Sequence, residues 1–140
     1  MLKDKVYAVL SQVEKPARYI GNEWNIIRKN WDDAAVKMVF SYPDTYEIGM
    51  SHLGLQILYG LVNSREDFLM ERVFAPWVDM EEKMRRLGIP LFSLESFRPV
   101  KDFDVVGFTL QYELNFTNIL NMLDLAGIPI KSLDRGDNDP

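Results

Sequence analysis

His52 is the only histidine of the chain, and there is no cysteine. Thiolate catalysis, a cysteine-ligated zinc and a cysteine-held iron–sulfur cluster are therefore excluded within these residues. Ser41 and Ser51 have only His52 nearby as a base, and no Gly-x-Ser-x-Gly elbow occurs to expose a nucleophile. Asp44, Glu47 and Glu113 show no spacing diagnostic of a carboxylate metal site. The glycines after the first apolar run, Gly49 and Gly54, fit neither Gly-x-Gly-x-x-Gly nor the phosphate loop that ends in Gly-Lys-Ser/Thr. What remains is a pair of polar–aromatic segments. One is Ser41-Tyr42-Pro43-Asp44-Thr45-Tyr46-Glu47-Ile48-Gly49, followed by His52 and Gly54. The other is Thr109-Leu110-Gln111-Tyr112-Glu113-Leu114-Asn115. Residues of these types serve a ligand site or a surface that packs on a neighbouring domain, and the sequence favours neither.

Both segments follow apolar runs, which fixes where they stand. Ala35 to Ser41 is apolar and β-branched and ends in Tyr42-Pro43-Asp44, a turn signal. Phe68 to Phe74 and Phe103 to Leu110 have the same character, and Pro90 to Glu95 is a shorter candidate. Such runs suit strands covered on both faces, as in a parallel sheet. Between them lie helical patterns. Leu53 to Val62 reads as a buried helix with Ser51 as N-cap, and Pro76 as the first turn of a helix that presents Trp77, Met80, Met84 and Leu87 on one face. Glu81 and Glu82 face Arg85 and Arg86 one turn on, and Gly88 supplies the stop. Asn115 reads as the cap of a last helix with Phe116, Ile119, Leu120 and Leu123 inward and Gly127 closing it, after which Ile128-Pro129-Ile130 restarts an extended run. Strand–helix repeated three times predicts an α/β fold, a Rossmann-like (flavodoxin-like) open parallel sheet flanked by helices. The polar–aromatic segments then fall at the carboxyl ends of the strands, where such sheets bind ligands.

Before residue 35 the pattern differs. Val6, Leu10 and Val13 place a short amphipathic helix over Lys3 to Glu14, which Pro16 ends. Lys15 to Asn25 combines turn formers with Tyr19, Ile20 and Trp24 and reads as an ordered arm. The expected division is an N-terminal helix and arm over residues 1–34 and the α/β domain over residues 35–140. Three good strands are few for this architecture, and Asp134 to Pro140 is turn chemistry alone, so the domain is expected to continue past residue 140. With 47% apolar residues in 140, the chain suffices for one core. A net charge of −5 disfavours nucleic acid as a partner of this segment. No stretch reads as a leader or a membrane span, so the expected location is cytoplasmic, without membrane contact.

The order of the motifs resembles one family. Phe40-Ser41-Tyr42-Pro43 followed by Leu53-Gly54-Leu55-Gln56-Ile57-Leu58, then Asp104-Val105-Val106-Gly107-Phe108-Thr109, looks like the N-terminal cobalamin-binding-like domain of radical SAM proteins. Arg18 to Glu23 and Tyr46 to Gly54 resemble an uncharacterised subgroup of these fused proteins. The resemblance implies a downstream barrel that carries an iron–sulfur cluster and S-adenosylmethionine, and makes that barrel the partner of this domain. It implies cobalamin as cofactor, held without histidine ligation to cobalt. The family motif for that ligation is Asp-x-His-x-x-Gly, whereas here Met50 and Leu55 flank His52 in the Asp and Gly places. The cofactor-binding residues implied are Ser41, Tyr42, Tyr46, Gly49, His52, Gly54, Thr109, Gln111, Tyr112 and Asn115. The tyrosines would pack on the macrocycle, and Thr109, Gln111 and Asn115 would bond its amide side chains. The alternative is a domain of the same fold that binds no cofactor and serves as a lid or docking surface for the barrel or for an RNA or protein partner. An unfinished sheet would also leave a free edge, through which two copies would pair.

Overall fold

The computed structural model describes residues 1–140. The three apolar runs form strands β1 (Val36–Tyr42), β2 (Phe68–Phe74) and β3 (Val105–Phe108), all parallel, in the order β2-β1-β3. Val36 pairs with Phe68 and Tyr42 with Phe74, while Met38 to Ser41 lie opposite Val105 to Phe108. Five helices complete the fold: α1 (Leu2–Val9), α2 (Tyr46–Met50), α3 (Leu53–Asn63), α4 (Val78–Leu87) and α5 (Asn115–Ala126). The open, parallel, Rossmann-like sheet with flanking helices is the architecture that the sequence predicts.

Side chains alternate across a strand, so each strand feeds two cores. On one side of the sheet Val39, Leu69 and Val73 meet Val6 and Val9 of α1, Met80 and Met84 of α4, and Met122 and Leu125 of α5. On the other, Tyr42, Phe74 and Leu94 meet Leu55 of α3, with Phe40, Tyr46 and Met50 at the margin. The N-terminal residues Val13, Tyr19 and Ala34 belong to the first core.

Several expectations need correction. The first helix ends at Val9 and tightens into a 3-10 turn over Leu10–Gln12. The cap of α3 is His52, not Ser51: its ring Nδ1 accepts the Leu55 N–H at 3.1 Å. Pro76 lies one residue ahead of the α4 N-cap, Trp77. On α4, Met80 and Met84 are buried while Trp77 and Leu87 stay largely exposed. Pro90 to Glu95 is no strand. It belongs to a loop closed by a single antiparallel bridge, Phe92 with Pro99, in which the Leu94 N–H donates to the Arg72 carbonyl on the open side of β2. Ile128 to Ile130 does not restart a strand either, although Ile128 is buried. The third strand spans only Val105–Phe108, and no residue of it is buried, because it is the sheet's other edge. Asn115 is the first residue of α5, not its cap, and the face Phe116–Ile119–Leu120–Leu123 is half open while Met122, Leu125 and Ala126 point inward.

Candidate functional site at the strand ends

In the order β2-β1-β3, the chain runs from β1 to β2 on one side and then returns past β1 to β3 on the other, so the switch point lies between β1 and β3. The two polar–aromatic loops meet there. The Thr109 N–H donates to the Ser41 carbonyl at 3.4 Å, the Tyr112 hydroxyl to Asp44 Oδ2 at 3.2 Å, and the Asn118 amide of α5 to the Pro43 carbonyl at 2.8 Å. The Gln111 amide turns back on Thr109 Oγ1. The neighbouring Asp44 carboxylate pushes the Tyr112 phenol up from its ordinary value.

Within the first loop the residues named from sequence pack on one another. Tyr42 is 5% exposed, its ring 5.3 Å from His52 and 6.5 Å from Phe74. Tyr46 stands edge-on to Phe74 at 5.4 Å. Gly49 is required by that contact, since a Cβ there would come 2.2 Å from the Phe74 ring. Gly54 faces the His52 ring, which a Cβ would meet at 2.8 Å. Tyr42, Tyr46, Gly49, His52 and Gly54 thus form one cluster, largely internal, while Ser41, the preceding residue of β1, turns its side chain to the other face of the sheet. Thr109, Gln111 and Tyr112 form the accessible side, joined to the first loop through Asp44. Ser41 Oγ and both polar atoms of the Asn115 side chain are buried without a hydrogen-bond partner. Buried polar groups are nearly always satisfied, so these two residues stand out.

The sequence reading missed a second cluster. Arg72 on β2 and Glu95 in the 92–99 loop are 1% exposed at their side chains and form an ion pair at 2.6 Å. The second Glu95 oxygen accepts the Arg72 backbone N–H at 2.8 Å. The guanidinium lies 4.3 Å over the Tyr59 ring of α3 and also reaches Glu23 Oε2 at 3.2 Å and Met50 Sδ at 3.2 Å. Glu23 in turn accepts the Tyr46 hydroxyl at 2.8 Å. Burial raises the Glu95 carboxyl to about 7 against the opposing pull of Arg72. Burial and the Glu23 carboxylate push Tyr46 up to about 12. The only sequence signal was a charged pair, Glu71-Arg72, inside an otherwise apolar run.

The two loops stand at the switch point of an open parallel sheet, where α/β domains bind ligands, and no group of histidine, aspartate or glutamate side chains could hold a metal ion. Residues 54–140, more than half of the chain, match the family described as radical SAM proteins, N-terminal. The chain belongs to that family. No curated protein and no solved structure matches it. The family carries an iron–sulfur cluster and S-adenosylmethionine in the protein of which this region is part; with no cysteine, this chain holds no ligand for the cluster. No helix is long and apolar enough to cross a membrane.

Proposed function

We propose that this chain is an accessory domain that docks the radical SAM catalytic domain of its parent protein, without chemistry of its own. One observation carries the reading. Helix α3 has no charged residue over its eleven positions, and its outward side presents Leu53, Ile57 and Leu61 at 71%, 57% and 64% exposure, with Leu58 beside them. Its inward side is already satisfied by Leu55, Tyr59 and Asn63. A helix apolar on all sides is a buried helix, so the outer stripe calls for a cover. Family membership supports one cover, the catalytic domain of the same polypeptide.

Cobalamin is the competing reading, and the residues fit it badly. Tyr42 is buried among core side chains and offers no face to a corrin, and His52 Nδ1 is spent on the α3 cap. In its favour stand the unpaired Ser41 hydroxyl and Asn115 amide beneath the loops. The deciding experiment has two arms. Ile57→Lys with Leu61→Lys should leave this domain's stability within about 0.5 kcal/mol of wild type and weaken its association with the separately expressed catalytic domain at least tenfold. Unchanged association would overturn the docking reading. Saturable one-to-one binding of hydroxocobalamin, followed by visible spectroscopy, would replace it with the cofactor reading.

A further inference from the structure

We propose that Arg72 and Tyr46 form a carboxylate-binding site whose resident occupant is the chain's own Glu23. Both donors to Glu23 belong to the body of the domain: the Tyr46 hydroxyl of α2 at 2.8 Å from Oε1, and Arg72 Nη2 of β2 at 3.2 Å from Oε2. The guanidinium is held in place without Glu23. Its Nε is fixed by Glu95 at 2.6 Å, its face rests on Tyr59, and Nη1 points at Met50 Sδ. Glu95 already binds the Arg72 Nε and backbone N–H, so Glu23 is a second carboxyl partner on a preorganised donor pair, and its removal leaves the buried Arg72–Glu95 contact whole.

The segment that brings Glu23 to this seat is held by exchangeable contacts. No residue from Ile20 to Asn30 lies in a helix or strand, and none belongs to either apolar core. At one end Gly21 takes φ +52 and packs so closely that a Cβ would meet the Leu94 carbonyl at 2.1 Å. At the other, Lys29 bonds the carbonyls of Arg65 and Phe68. Between these ties Arg28 Nη2 donates to the Gly21 carbonyl at 2.8 Å within the segment, Ile26 and Ile27 are half-buried, and the hydrogen bonds to the body beyond Glu23 are those of the Ile27 N–H and carbonyl with the Tyr59 hydroxyl, at 2.8 and 3.2 Å. Trp24, next to Glu23, is fully exposed. Polar contacts of this kind trade with solvent or ligand at small net cost, and segments that rely on them are the first to open. When residues 22–26 lift, Nη2 of Arg72 and the Tyr46 hydroxyl stand ready for another carboxylate, since a guanidinium and a phenol recognise that group whatever carries it.

The experiment is chemical rescue on the 140-residue chain. Glu23→Ala vacates the seat; acetate is titrated at constant ionic strength with chloride as control, and the Arg72 Nε–H and Tyr46 ring signals are followed by NMR. Saturable shifts with a dissociation constant on the order of millimolar, at least tenfold tighter than for wild type, are expected. N-acetylglutamate amide, as a peptide side-chain mimic, is the second arm. Binding of acetate alone assigns the seat to small free carboxylates, and binding of both assigns it to an acidic peptide side chain. A folded Glu23→Ala that responds to acetate no more than to chloride would overturn the proposal. Should Glu23→Ala not fold, Glu23→Ser vacates the seat as well and the same titration applies.

Discussion

Ser41 and Asn115 carry polar groups that the fold leaves unpaired in its interior, which costs each about 1–3 kcal/mol of desolvation. Replacing them with apolar residues of similar volume should therefore stabilise the isolated chain. Ser41→Ala and Asn115→Leu are each expected to raise the unfolding free energy by about 1 kcal/mol in urea titration; a loss instead would mean that each has a partner in solution. Glu95 gives a pH prediction of definite sign. Its folded-state value, raised to about 7 by burial, lies above that of the unfolded chain, so the folded state keeps the proton to higher pH. Its contribution is thus complete below the ordinary carboxyl range and is lost as pH rises through about 7. The urea midpoint should fall between about pH 5 and about pH 8, and Glu95→Gln should flatten that slope. A midpoint that rises over this range would show that the Arg72 charge outweighs burial. The groups that face Glu95 were invisible in the sequence, because Glu71-Arg72 in a strand reads as one residue in and one out. Only the folded loop over β2 shows that both are buried.

At the scale of elements, local chemistry was legible wherever one residue decides it. Phe68–Phe74 was readable to the residue because an apolar run with few breakers admits little else. Gly88 and Gly127 were readable as helix stops because both adopt the left-handed conformation, at φ +61 and +70. The inward face of α5 was not. Its apolar period covers more than one side, and which side is buried depends on how many strands lie beneath it. The candidate residues were placed correctly at the strand ends, but Tyr42 and His52 turned out to be packing and capping residues, a distinction set by tertiary contacts and not by type. Gly49 gives a test of the cluster they form. Gly49→Ala would drive a methyl into the Phe74 ring, between α2 and β2, and overpacking of this kind should cost about 1–3 kcal/mol. Thermal unfolding should show a lowered midpoint, with the loss relieved in a Gly49→Ala, Phe74→Leu double variant.

For the molecule as a whole, the two edges of the sheet differ. On the outer side of β2, the Arg72 carbonyl accepts the Leu94 N–H and the Arg72 N–H is taken by the Glu95 carboxylate. No other segment bonds the backbone of β3 on its outer side, and the exposed apolar residues Phe116 and Leu120 of α5 lie on the helix that follows it. Concentrated solutions should therefore self-associate through β3, which light scattering would read as an average mass rising with concentration. Val105→Lys, which puts a charge on the exposed start of the edge strand, should reduce that rise, and a strictly monomeric wild type would count against the edge pairing.

The seal that Leu94 and Glu95 place on β2 bears on what such association can become. A filament needs two complementary sticky ends on every subunit, and this sheet has one. Copies that join through β3 meet face to face and leave only sealed β2 edges pointing outward, so growth terminates at two. A loop that first read as a misjudged strand is then a chain terminator for assembly, and opening it should turn a self-limiting pair into an open polymer.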